Sequence, residues 1–177
     1  IRESAARHYL IFNSHHILLD GWSTPIVLQE LFALYRNGAD TEALPRVVPY
    51  RDYMRWLGGC DHAAAREAWR EAFLGFEEPT RIAAVSTAPA VPDTLRIDLP
   101  DELVQRLTRQ ARTLGVTLNT VVQAAWGVLL GRLTHRHDVA FGTTVSGRPP
   151  ELAGVEQMVG LLINTLPLRL QWRPDET

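Results

Sequence analysis

Lysine is absent from this chain: all 18 of its basic residues are arginines. That absence excludes, within residues 1–177, Schiff-base chemistry, a phosphate-loop lysine and an attachment point for pyridoxal phosphate. Cysteine occurs once, at Cys60, so no internal disulfide and no cysteine-based metal site is available. Long apolar runs are missing too, and none approaches the ~18 residues of a helical membrane span. Nor does charge of one sign prevail. The 18 basic and 20 acidic residues leave a formal charge of −2, with no basic block of the kind that phosphate neutralisation needs. Neither nucleic acid nor membrane is therefore expected as a partner.

What is present is a chain that is 46% apolar, enough to bury a core, and one stretch dense in chemistry. His15-His16-Ile17-Leu18-Leu19-Asp20-Gly21-Trp22-Ser23 lies between an aromatic, β-branched run over 8–14, read as a buried strand, and helical spacing from Pro25. Function concentrates at such junctions. Side chains alternate faces along an extended segment, so one histidine is expected to face a cavity and the other to turn into the protein body. Asp20 is placed to brace the turn through an arginine or a backbone N–H. Gly21 permits a positive φ or the close approach of a ligand. Adjacent histidines do not readily share one ion and Asp20 alone leaves the ligand set short, so no metal site is expected.

His15 to Ser23 resembles the HHxxxDGWS signature of nonribosomal peptide synthetase condensation domains, members of the chloramphenicol acetyltransferase-like superfamily. Three further stretches are similar to the same family in the expected order: Tyr50 to Trp56 (YRDYMRW), Asp138 to Pro149 (DVAFGTTVSGRP) and Met158 to Arg169 (MVGLLINTLPLR). The resemblance implies an α/β (α+β) fold of two lobes, of which this chain covers the end of the first and the start of the second. It implies that two thioesters, carried on the 4'-phosphopantetheine arms of donor and acceptor carrier proteins, meet in a tunnel between the lobes. No cofactor is bound by the domain itself.

In this likeness His16 faces the tunnel, either taking a proton from the attacking amine or orienting it, and His15 faces inward. Asp20 and Gly21 complete the catalytic motif. Trp22 either walls the channel or staples the helix start, and Ser23 joins it as a substrate-side candidate. Ser146 and Arg148 lead into a floor loop near 149–160 on the acceptor side, and Asn164 approaches from the second lobe. The family's arginine partner of Asp20 belongs to an early motif with no match here, so that partner is expected to lie outside the chain. Further implied partners are an adjacent adenylation domain and the remainder of the condensation domain, in a cytoplasmic setting. Two alternatives stay open: an epimerization domain of the same superfamily and a non-catalytic recruitment domain.

The chain, which opens at Ile1, reads as a fragment. Residues 1–78 are assigned to the first lobe, 79–93 to a proline-bearing linker and 94–177 to the second lobe. Helices are predicted from Ser23 or Thr24, with Val27, Leu31, Leu34 and Tyr35 on its inner face; over Tyr50 to Leu57; and from Asp61, with Ala65, Ala68, Trp69, Ala72 and Phe73 inward. Two more follow, from Asp101 to Leu114 and from Thr117 or Asn119, the last burying Val121, Val122, Ala125, Leu129 and Leu133. Strands are predicted over 94–99, 138–146 and 161–170, with Pro167 at a sheet edge or bulge.

Overall fold

The computed structural model describes residues 1–42, 44–83 and 93–173. Five helices, α1 (Ser23–Arg36), α2 (Tyr50–Gly58), α3 (His62–Ala72), α4 (Asp101–Thr113) and α5 (Leu118–Thr134), accompany two strands, β1 (Asp138–Val145) and β2 (Asn164–Gln171). The strands pair in a two-stranded sheet, giving an α+β chain. Either strand of such a pair has a free edge, which is where Pro167 of β2 is tolerated.

Two compact units are discontinuous in sequence. The first comprises Ile1–Ala65 and Thr144–Leu166, the second Arg66–Thr143 and Pro167–Thr177. Residues 66–78 thus belong to the second unit and 144–166 to the first. Most of the expected linker, 84–92, lies outside the described residues. Its described beginning is fastened: Arg136 donates to the Glu78 and Pro79 carbonyls, and Thr80 Oγ1 accepts the Ala140 N–H at 2.8 Å.

In the first unit the core is small and sits beneath the segment that follows Arg148. Val155, Met158 and Leu162 are buried, with Val48, Tyr50, Tyr53 and Leu152 packed around them. The apolar positions of α2 supply two of those neighbours, Tyr50 and Tyr53, whose rings lie 5.5 Å apart. Helix α1 starts at Ser23 as expected. Its opening N–H is capped from outside the helix, by Asp20 Oδ1 at 2.8 Å, and not by Ser23 or Thr24. It ends at Asn37, where Gly38 and Ala39 take φ of 64° and 69°. Tyr35, expected inward, is 84% exposed.

The second unit is organised by glycines and by one arginine. Thr117 caps α5 by accepting the Thr120 N–H at 3.1 Å, and Gly115 at φ 67° closes α4. The buried face of α5 is Gly127, Leu130 and Gly131, whereas Val122, Ala125, Leu129 and Leu133 of the expected stripe are exposed. Apolar periodicity names a face only when one face is apolar, and α5 is apolar nearly all round. At the two glycines the space of a Cβ is taken by neighbours, Leu170 against Gly127 and Trp172 against Gly131. Helix α3, by contrast, buries no residue, Ala65, Ala68, Trp69 and Ala72 of its expected inner face included, and the Trp69 ring lies 6.1 Å from the Phe73 ring just beyond its end.

Arg169 ties this unit together. It pairs with Asp138 at 2.6 and 2.8 Å, donates to the Ala72 and Leu74 carbonyls at 3.0 Å, and lies 5.5 Å from the centre of the Phe76 ring. The hydrogen bond from Arg169 holds the Asp138 carboxyl below its ordinary range, against the opposing effect of burial.

Two predicted strands are not formed. Residues 8–14 are extended but make only an isolated bridge from His8 to Arg2, and 94–99 pair with nothing among the described residues. Tyr9, Leu10, Ile11, Leu95 and Ile97 are all more than half exposed. A strand needs a hydrogen-bonding neighbour, and local pattern alone does not supply one.

Glycines 127 and 131 separate experimentally. A Cβ at Gly131 falls 2.6 Å from the Arg136 carbonyl oxygen, which is backbone and cannot yield; at Gly127 the obstacle is the movable end of Leu170. Gly131→Ala is expected to weaken α5 by about 1–3 kcal/mol, and Gly127→Ala by less. Hydrogen-exchange protection of the α5 amides in the full-length protein measures both.

Candidate active site

The turn that carries the two histidines is built from its buried end outward. Asp20 is 2% exposed, and both oxygens of its carboxylate are engaged. Oδ1 takes the Ser23 N–H at 2.8 Å and stands 2.7 Å from the Ser23 hydroxyl; Oδ2 takes the Leu162 and Ile163 N–H groups at 3.1 and 3.2 Å. Arg148 reaches both oxygens, at 3.3 and 3.4 Å. Burial by itself raises the carboxyl's pKa. The bonds from the Ser23 side chain and from the Ser23, Leu162 and Ile163 backbone outweigh it, and the net shift is downward.

Arg148 is the arginine that was expected to lie outside the chain. Its side chain is 1% exposed, so it serves Asp20 rather than an open surface. One guanidinium nitrogen binds Asp20 and Ser23 Oγ, and another donates to the Val155 and Met158 carbonyls. The expectation failed because it sought the partner in an early motif, whereas a loop more than a hundred residues downstream provides it. Gly147, just before Arg148, sits at φ 63°, and a Cβ there would fall 1.7 Å from the Leu162 carbonyl. A glycine is required for this approach.

Ser23, fully buried, fills the gap between Asp20 and Gly160. Its oxygen accepts the Gly160 N–H at 3.0 Å and lies 2.9 Å from the Gly160 carbonyl, while the Asp20 N–H donates to that same carbonyl at 3.1 Å. Tyr50, to which the motif assigns no role, donates its hydroxyl to the Leu161 carbonyl at 2.8 Å and lays its ring where a side chain on Gly160 would stand. Its signal in the sequence is the aromatic opening α2, which reads equally as core.

Above this base the histidines emerge. Both are exposed, including His15, which was expected to turn inward. Among the described residues the segment before it pairs with no strand. His15 Nδ1 accepts the Ile17 N–H at 3.1 Å and thereby tightens the turn. No hydrogen bond holds the His16 ring among the described residues. Gly21 has neither a positive φ nor any atom within 4 Å of a Cβ position, so of its two expected uses only close approach of a ligand stands. Trp22 donates its Nε1–H to the Glu156 carbonyl at 3.0 Å. Ser146 and Asn164 are exposed; Ser146 Oγ is 3.5 Å from the Arg148 backbone nitrogen, and Asn164 Oδ1 accepts the Thr165 N–H at 2.8 Å. The structure thus brings Asp20, Trp22, Ser23 and Arg148 together in one network.

Comparison with known proteins follows the same outline. A family model described as Condensation domain matches residues 1–177. A linear gramicidin synthase of Brevibacillus parabrevis is 42% identical over 190 residues, which cover 100% of this chain and 2% of that protein. Bacitracin synthase 3 of Bacillus licheniformis is 40% identical over 177 residues, 96% of this chain and 3% of that protein. Among solved structures, the first condensation domain of the CDA synthetase matches with a TM-score of 0.69 and 29% identity, over 92% of this chain and 37% of that one. The chain therefore spans a small part of the curated proteins it matches and just over a third of that solved chain.

Asp20→Asn leaves the buried Arg148 without its anion and is expected to destabilise the first unit by about 3–5 kcal/mol. The acid limb follows from the depressed pKa. The folded carboxyl titrates below the ordinary 3.8, so its contribution is whole above that value and is lost as pH falls through the folded pKa. Exchange protection at Leu162 and Ile163, followed from about pH 6 downward, should collapse in the parent and be weak and flat in Asp20→Asn.

Proposed function

Since the chain belongs to the condensation-domain family, we propose that it is the histidine-bearing part of a domain that forms peptide bonds in a nonribosomal peptide synthetase. A donor acyl or peptidyl thioester and an acceptor aminoacyl thioester arrive on the phosphopantetheine arms of their carrier proteins. The acceptor's amine attacks the donor's thioester carbon, a C–N bond forms, and the donor's thiol leaves. The product remains on the acceptor arm. The remainder of the condensation domain completes the site, and an adenylation domain charges the acceptor carrier, in the cytoplasm.

The observation that carries this reading is an exposed His16 on a turn whose other end is locked by the buried Asp20. A free α-amino group has a pKa of about 7.7–8.0, so a substantial minority is already neutral near pH 7 and can attack unaided. The proton must leave as the tetrahedral intermediate forms. His16, with its ring unencumbered, takes that proton or holds the amine in line, and a positioned acid–base group is worth roughly 10²- to 10⁴-fold. His15, whose Nδ1 is engaged by the turn, stiffens the platform. Asp20, Ser23 and Arg148 act through it, and Gly21 leaves room for a thioester beside the backbone.

Single-turnover peptide bond formation in the parent synthetase tests the assignment. His16→Ala should lower the rate roughly 10²- to 10⁴-fold, and His15→Ala should lower it less. A larger loss in His15→Ala with the fold intact inverts the roles. The same assay separates the alternatives: an epimerization domain would invert the configuration of its carrier-bound residue without ligation, and a recruitment domain would do neither.

A further inference from the structure

We propose that Tyr50 is a positioning residue for the chemistry at His16: it holds the Gly160–Leu161 backbone to which the histidine turn is fastened. This role rests on the condensation reading above. Every contact in it lies within the first unit. Gly160 is buried, and its carbonyl accepts the Asp20 N–H at 3.1 Å while its own N–H donates to Ser23 Oγ at 3.0 Å. The Leu162 and Ile163 N–H groups add their bonds to the Asp20 carboxylate. One short run of main chain therefore holds Asp20 by its backbone and by its side chain, four residues beyond His16.

Tyr50, the first residue of α2, fixes that run in its turn. Its hydroxyl donates to the Leu161 carbonyl at 2.8 Å, and its ring occupies the space above Gly160, where a Cβ would overlap the ring atoms Cδ2, Cε2 and Cγ. Gly160 has no positive φ, so its backbone conformation does not call for glycine; the tyrosine ring does. The ring is itself held, packed on Val155, Met158 and Leu162 and 5.5 Å from the Tyr53 ring. Any nearby acceptor would satisfy a tyrosine hydroxyl. This one takes the carbonyl next to the peptide that receives Asp20, and the ring leaves Gly160 no side chain and little freedom to move. Displacing a reacting group by about 1 Å can cost roughly 10²-fold in rate, so a residue that fixes the footing of the turn bears on His16 without touching substrate.

Tyr50→Phe keeps the ring and removes the hydroxyl, whereas Gly160→Ala keeps the hydroxyl and displaces the ring. In the parent synthetase, supplied with defined donor and acceptor carrier proteins, Tyr50→Phe should lower kcat per folded enzyme about three- to tenfold, the worth of one hydrogen bond, with both carrier KM values unchanged. Gly160→Ala should lower it at least as far. Amide exchange at Asp20, thirty residues from Tyr50, should quicken by a similar factor while the α5 amides hold. A purely structural role would lower the unfolding midpoint and leave the kcat of the folded enzyme as it was, and that result overturns the proposal. So does a rise in either KM without a fall in kcat, and so does unchanged exchange at Asp20. Where Gly160→Ala does not fold, Tyr50→Phe decides alone. Should the wild-type enzyme form no peptide at all, the condensation reading fails and takes the catalytic role with it. Exchange at Asp20 then still decides whether Tyr50 holds the turn.

Discussion

One buried carboxylate organises the histidine-bearing end of this chain. Asp20 caps helix α1 through the Ser23 N–H, binds the backbone of Leu162 and Ile163, and neutralises Arg148. Each of those partners is expensive to bury alone. Together they satisfy one another except at Arg148 Nε, which is buried without a partner among the described residues, and near-complete pairing is the condition under which a buried ion pair is tolerated. The net worth of such a pair against a hydrophobic replacement is small. Its value lies in geometry, since turn, helix and loop must come together for Asp20 to meet its donors, with Arg148 Nε left unpartnered among the described residues.

That geometry explains why the histidine turn can be exposed and still hold its shape. The apolar contribution to the site is slight, three buried residues with a few neighbours, whereas the polar network spans more than a hundred residues of sequence. A second arginine–carboxylate pair, Arg169 with Asp138, does a related job in the other unit, gathering the end of α3 and the Phe76 ring around β1 and β2. With no lysine in the chain, guanidinium groups supply both anchors. Their planar fork suits the task, reaching a carboxylate and several carbonyls from one side chain.

Large apolar side chains at the surface are the counterpart of this small core. Leu10, Ile11, Leu95, Ile97 and Val122 are each more than half exposed, although they lie in segments with strand or helix patterning. The chain spans 37% of the solved condensation-domain chain it matches, and these side chains are not covered by the described residues.

The sequence by itself determined the helices, whose caps and stops are local, and the identity of the motif turn, whose residues are contiguous. Thr117 capping α5, Gly115 closing α4 and Asn37-Gly38 ending α1 are all decided within a few residues, at the scale where propensity operates. It also carried the strands over 138–145 and 164–171, because each of those runs found the other as its hydrogen-bonding neighbour. Tertiary structure alone decided the rest. Which side of α5 is buried depended on where Leu170 and Trp172 lie; whether 8–14 and 94–99 became strands depended on neighbours; and the partner of Asp20 turned out to be Arg148, 128 residues away. Hydrogen-bond satisfaction in a buried site is a property of the assembled fold, and no spacing within a motif encodes it.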